Sequence, residues 1–231
     1  MKVPLSARLL ACCNYVNQGD RVADIGCDHG YLGIYLLKNG IAASVIASDI
    51  NEQPLHSATV NARRYGVGDR MQFYLSNGAV SIPREFDTLV CAGMGGDTMI
   101  SILEAAPWLR SPQYRLVLQC QSKTPLLRKW LRAQGWSIPR ESLAKDGKFV
   151  YSVLEAVYSP APAPALWEHY ISKPMLAEGG PLLAEYYDRL LGGLRLNVEG
   201  LRRSGGEELA EKEALLRQLE ELEEQIYGHR E

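Results

Sequence analysis

Six short runs of aliphatic and β-branched residues recur along the first two thirds of the chain, and segments with helical spacing separate most of them. The runs are RVADIG (21–26), SVIASD (44–49), MQFYL (71–75), DTLVCAG (87–93), RLVLQC (115–120) and FVYSVLEAV (149–157). Between them lie patterns such as YLGIYLLKNG and NEQPLHSATVNARRYGV. Strands that alternate with helices need crossover connections, which are right-handed and leave neighbouring strands parallel. The last run breaks the alternation. It follows the turn Lys145-Asp146-Gly147-Lys148 directly, and a tight turn can join only antiparallel strands. The predicted fold is therefore α/β: a mostly parallel sheet that ends, after the helix TPLLRKWLRAQG, in one antiparallel strand.

This unit is expected to occupy residues 1–158. The stretch SPAPAPA (159–165) reads as a stiff linker, and residues 159–231 form a second unit. There Leu183, Tyr186, Leu190, Leu194, Val198 and Leu201 recur every three or four residues, and Leu215, Leu219, Leu222 and Ile226 do the same. Ser204-Gly205-Gly206 interrupts the pattern. Two helices with one apolar stripe each, joined by a short turn, predict an antiparallel helical hairpin of coiled-coil type. Charge divides at the same boundary. Residues 1–158 hold 17 Lys and Arg against 13 Asp and Glu, whereas residues 159–231 hold 8 against 14. Within the tail the acid gathers in the second helix, so the first is expected to be the one able to face a polyanion.

Other classes are disfavoured. At 46% hydrophobic and 23% charged the chain can bury an ordinary core, and no apolar run of about 18 residues offers a membrane span. Leu-Leu-Ala-Cys at 9–12 resembles a lipoprotein cleavage site, but Arg8 interrupts the apolar core that such a signal needs, so an N-terminal helix is expected. Cys12, Cys13, Cys27, Cys91 and Cys120 are odd in number, make no C-x-x-C pair and lie in apolar surroundings. They read as buried, reduced thiols of a cytoplasmic protein, without disulfides and without a metal site.

The strand ends carry the chemistry. The first strand runs into Asp24-x-Gly26-x-Asp28-x-Gly30, and the second ends at Asp49. In open α/β sheets ligands bind over the carboxyl ends of the strands, where the strand order reverses. A glycine turn there lets backbone N–H groups approach a ligand, and an acid on the next strand accepts hydrogen bonds from ribose hydroxyls. The pair indicates an adenosyl nucleotide. A dinucleotide would bring a pyrophosphate to the helix N-terminus, and Asp28 would repel it. S-adenosyl-L-methionine carries a sulfonium and an ammonium instead of phosphate, and a carboxylate suits both. Asp28 could equally cap the following helix, and that alternative stays open here. Ser76-Asn77-Gly78 follows the third strand, where Asn77 could meet an adenine edge. Ala92-Gly93-Met94-Gly95-Gly96-Asp97 follows the fourth. So many glycines beside a pocket mean close approach or unusual φ values. The expected cofactor-binding residues are Asp24, Gly26, Cys27, Gly30, Asp49, Ile50, Asn77, Gly78, Ala92, Gly93 and Met94.

Taken together, DIGCDHGYL, ASDIN, SNG and CAGMGG resemble the bacterial tRNA (adenine-N1)-methyltransferases that modify adenosine 22. The likeness runs over essentially the whole chain; Gly30 stands where that family often has alanine. It implies a Rossmann-like class I methyltransferase sheet with a C-terminal helical hairpin, S-adenosyl-L-methionine as cofactor, tRNA as partner and a monomer in the cytoplasm. The fourth-strand motif agrees on chemical grounds. Enzymes acting on exocyclic amines often carry Asn/Asp-Pro-Pro-Tyr/Phe there, and this chain has Gly-Met-Gly-Gly, which favours a ring nitrogen. N1 of adenine has an in-plane lone pair and needs no deprotonation, but its ring becomes cationic on methylation. The site must align N1 with the methyl group and stabilise that charge. Asp28 is the first candidate and Asp97 the second, with His29 and Tyr31 positioned to hold or stack the base. Competing readings are a methyltransferase of rRNA, protein or a small molecule, and a binding module without catalysis. The basic pairs and triads Arg63-Arg64, Arg128-Lys129-Arg132 and Arg202-Arg203 favour nucleic acid.

Overall fold

Aliphatic and β-branched residues dominate the strands, and alternate ones face opposite sides of one sheet. In the computed structural model, which describes residues 2–228, the strands are β1 (Asp20–Ile25), β2 (Ala42–Asp49), β3 (Met71–Leu75), β4 (Thr88–Gly95), β5 (Arg115–Ser122), β6 (Trp136–Asp146) and β7 (Phe149–Tyr158). Their order is β3-β2-β1-β4-β5-β7-β6. The pairs β1–β2, β1–β4, β2–β3 and β4–β5 are parallel, and β7 runs antiparallel to both β5 and β6. The order reverses between β1 and β4, which is where a doubly wound sheet opens its crevice.

The expected single antiparallel strand is β7, but it is not the edge. β6 forms the edge, and its sequence WSIPRESLAKD does not read as a strand because half of it is polar and Pro139 interrupts it. An edge strand tolerates this: proline needs no ladder partner there, and the β6–β7 register shifts between Ser137 and Arg140 to accommodate it.

Five helices flank the sheet: α1 (Ala7–Cys13), α2 (Tyr31–Lys38), α3 (Glu52–Arg64), α4 (Gly96–Glu104) and α5 (Thr124–Ala133). Val22, Val45, Val90 and Val117 pack on the side of α1, α2 and α3 with Ile34, Leu36 and Leu37. Ala23, Leu89, Leu116 and Leu118 pack on the other side with Met99 of α4 and Leu127 of α5. The resulting scaffold is apolar on both faces, so polar groups gather at the strand ends. No helix among the described residues is long and apolar enough to cross a membrane.

The rest of the chain is helical: a 3-10 turn at Leu166–His169, then α6 (Lys173–Glu178), α7 (Pro181–Ser204), α8 (Leu209–Glu220) and α9 (Glu223–Tyr227). Gly205 ends α7 in the left-handed conformation that such a turn requires. Leu183, Tyr187, Leu191, Leu194 and Val198 pack against Leu215, Leu219, Leu222 and Ile226. Tyr186 and Leu190, read from the sequence as part of that stripe, are partly buried at its margin, where they pack on this cluster and also line a cleft beside β7. Tyr186 donates its hydroxyl to the Tyr170 carbonyl. Arg195 pairs with Glu220 at 2.8 Å and Arg202 with Glu213 at 2.8 Å. The acidic helix α8 thus neutralises the basic face of α7, and that face offers fewer free cations than its sequence suggests. Arg128 is no surface residue either. It is fully buried and bonded to Glu141, and its Nη1 donates to the His169 and Tyr170 carbonyls. This pair fastens the helical tail to the sheet.

Candidate active site

A cavity of about 490 Å³ lies over the carboxyl ends of β1, β2, β3 and β4, a size suited to a nucleoside-sized ligand. Asp24, Gly26, Cys27, Asp28, His29, Tyr31, Asp49, Ile50, Asn77, Gly78, Ala92, Gly93 and Met94 all line it. Two residues singled out in the sequence do not. Gly30 caps α2, with φ +73°, and a β-carbon there would come within 2.9 Å of Ala58, so its part is close helix packing. Asp97 is exposed, and its carboxylate is held by Lys123 Nζ at 2.5 Å.

Asp24 forms the floor. It is 4% exposed, and its Oδ2 has no hydrogen-bond partner. Burial raises its pKa to about 7, with the nearby Asp49 carboxylate adding in the same direction and a hydrogen bond from the Gly33 amide opposing. A buried carboxylate with an unsatisfied oxygen calls for a cationic partner. Asp49, at the end of β2, is already oriented. Its Oδ2 accepts from the Asp28 amide at 3.2 Å and its Oδ1 from the Asn51 amide at 2.9 Å. Lone pairs remain on both oxygens for hydroxyls above them. Ile50 beside it is 62% exposed, an apolar face open to the cavity. Asn77 stands exposed at the rim.

The β1–α2 turn is bound to β2 by the Gly26 and Cys27 amides, which donate to the Ser48 carbonyl at 2.8 and 2.9 Å. Asp28 lies in the left-handed region, with φ +50°, and α2 is capped by Gly30 with no side-chain cap bond. The capping alternative for Asp28 therefore fails. Its side chain stays exposed and lies 3.6 Å from His29 Nε2. The His29 and Tyr31 rings follow with centroids 6.0 Å apart. On the opposite wall, β4 bulges at Gly93, which has φ +83° and drops out of the β4–β5 register. Gly96 meets the Lys123 carbonyl so closely that a β-carbon would lie 2.7 Å from it. The glycine run thus serves both unusual φ and close approach.

Arg8 is a cavity residue that the sequence did not single out as one. It comes from α1 and donates from Nη1 to Gln119 Oε1 at 2.9 Å. The same fully buried Gln119 accepts from the Gly93 amide at 3.1 Å. No local motif marks Arg8, since its partner lies 111 residues away. The cavity thus presents a guanidinium as well as a carboxylate, the two charges that complement an amino-acid zwitterion. All five cysteines are free and buried. Burial pushes the Cys91 thiol up to about 12 and the Cys27 thiol further, so neither ionises to a nucleophile near neutral pH. Among the described residues no group of three His, Cys, Asp or Glu side chains could hold a metal ion.

Fold and site define a doubly wound α/β protein with a nucleoside-type cavity at its topological switch point. Residues 5–154 match the family model described as a methyltransferase domain, and the chain belongs to that family. It is 31% identical over 156 residues to the tRNA (adenine(22)-N(1))-methyltransferase of Bacillus subtilis, which covers 67% of this chain and 66% of that protein. A Mycoplasma genitalium relative is 33% identical over 136 residues, 60% of its own length. The chain therefore spans just under two thirds of these relatives. Among solved structures, the B. subtilis m1A22 tRNA methyltransferase superposes with a TM-score of 0.84 at 26% identity, covering 97% of this chain and all of that one. A Streptococcus agalactiae protein of the NADB-Rossmann superfamily gives 0.87 at 28% identity, covering 96% of this chain and 98% of that one.

Proposed function

We propose that this chain transfers a methyl group from S-adenosyl-L-methionine to N1 of an adenosine, at position 22, in tRNA. The observation that carries the reading is the unpartnered, buried carboxylate of Asp24 in a cavity also lined by Arg8 and by an Asp49 already oriented by two backbone amides. The cofactor fits these residues. Asp24 accepts from its ammonium, Arg8 holds its carboxylate, Asp49 accepts from the ribose hydroxyls, Ile50 covers the adenine and Asn77 meets the adenine edge. Gly26, Cys27, Gly78, Ala92, Gly93 and Met94 supply the close walls, with Gly30 behind them. When bound, the cofactor supplies an electrophilic methyl on a sulfonium.

The chain's own residues then have a limited task. Asp28, at the rim, accepts from the N6 amine of the target base and offsets the positive charge that develops on the ring. His29 and Tyr31 stack and orient the flipped base so that the N1 lone pair points at the methyl. Asp97 is left to hold Lys123. No side chain need remove a proton from N1 before attack. The named relatives support tRNA as the substrate, and the same reading has residues 1–158 as the catalytic domain, residues 159–231 as an added helical domain, and a single chain working in the cytoplasm. The test is incubation of unmodified tRNA with methyl-labelled cofactor, followed by digestion to nucleosides. Label in 1-methyladenosine is expected; label in any other nucleoside, or in protein, would sink the assignment.

A further inference from the structure

A second cleft, of about 290 Å³, lies between the end of β5 with the first turn of α5, the start of β7, and α7. It adjoins the reaction cavity without being part of it. Gly95 of β4 pairs with Ser122 of β5, so this strand pair separates the cavity that Gly93 and Met94 line from the cleft that Gln121 and Ser122 line. The cleft is unlike a packing defect. Phe149 is 47% exposed on its wall, with the Tyr151 ring 6.0 Å away and Lys148 Nζ 5.3 Å over the Phe149 face. Lys123 and Arg189 stand on the other walls, each also holding one carboxylate, Asp97 and Glu185. Lys148 has no acidic partner among the described residues. Only two non-glycine residues take positive φ among the described residues, Asp28 and Lys123. One sits at the rim of each cavity, and backbone strain of this kind collects where a site needs a side chain aimed.

We propose that this cleft seats an unpaired nucleotide flanking the target adenosine, its base stacked on Phe149 and its phosphates held by Lys148, Lys123 and Arg189. The inference rests on the RNA-methyltransferase reading above. An exposed aromatic face beside an excess of cations is the chemistry that binds single-stranded nucleic acid, because every unstacked base has a π-face. A base inside a duplex cannot reach it. Extrusion of the target base leaves its neighbours unstacked, and one of them finds Phe149 on β7, two strands over from the β4 wall of the cavity.

The test uses the full-length protein and an unmodified tRNA transcript carrying adenosine 22. Phe149→Ala is expected to raise KM for tRNA about tenfold, with kcat and calorimetric affinity for S-adenosyl-L-methionine unchanged. Phe149→Trp should restore KM, and Lys148→Ala should raise it while flattening its dependence on salt. Wild-type protein that methylates no tRNA overturns the functional reading itself. Wild-type activity with an unchanged KM in Phe149→Ala overturns the cleft proposal alone. A shift from dimer to monomer on that substitution, seen by sedimentation, would also overturn it, because the cleft would then seat a second copy of this chain.

Discussion

Asp24 sets a pH signature that can be measured without any substrate. Its pKa is about 7 in the folded protein against an ordinary value of 3.8. Both states are protonated below 3.8, so the residue costs nothing there. Between 3.8 and 7 the unfolded chain releases the proton first, and stability falls as pH rises, by a total on the order of 4 kcal/mol. Asp24→Asn should flatten this slope in denaturant titrations. Binding of an ammonium should pull the Asp24 pKa down, so calorimetry near pH 6 in buffers of different ionisation enthalpy should report proton release on cofactor binding. No proton release would separate Asp24 from the ammonium. Asp49→Ala should weaken cofactor binding by roughly 1–3 kcal/mol. Asp28→Asn should lower kcat and leave cofactor affinity near wild type, and an undiminished kcat would remove Asp28 from the chemistry. These strand-end residues were legible in the sequence because each follows a β-run directly. Arg8 was not, because only folding brings α1 to Gln119. Asp97 adjoins a glycine motif, yet in the first turn of α4 its carboxylate pairs with Lys123 and does not line the cavity.

At the scale of elements, the Arg128–Glu141 pair decides how the tail is held. Both side chains are within 1% of full burial, and Arg128 carries the two carbonyl acceptors from residues 169 and 170 besides. Arg128→Ala leaves Glu141 charged and alone, a change worth about 3–5 kcal/mol. Thermal unfolding should show that loss, while the cofactor cavity on the far strands keeps its affinity. A melting temperature equal to wild type would mean that the pair does not fasten the tail. In the sequence, Arg128-Lys129-Arg132 looks like a surface patch, because helical spacing alone does not reveal that the next strand supplies a buried carboxylate. The five parallel strands and β7 were legible from period and turn chemistry. The edge strand β6 was not, because solvent on one side removes the apolar pattern that marks a strand.

Across the whole molecule, an α/β sheet meets an acidic hairpin in which Arg195, Arg202 and Arg203 pair with the hairpin's own glutamates. RNA is therefore expected to grip the sheet, the cleft beside α7 and exposed cations such as Arg63 and Arg64, with α8 turned away. Removing residues after Tyr158 should leave cofactor binding intact. It should weaken tRNA binding and flatten its salt dependence, because the α7 wall of the cleft is lost; unchanged affinity and slope would assign the hairpin to another partner. The reaction proposed for this chain is methyl transfer to N1 of adenosine 22. A methyl group there blocks Watson–Crick pairing, so reverse transcription across an unmodified tRNA transcript treated with enzyme and S-adenosyl-L-methionine reads it directly. A new stop at position 22 that appears only when the cofactor is present is the predicted result, and full-length product, or a stop elsewhere, would contradict it.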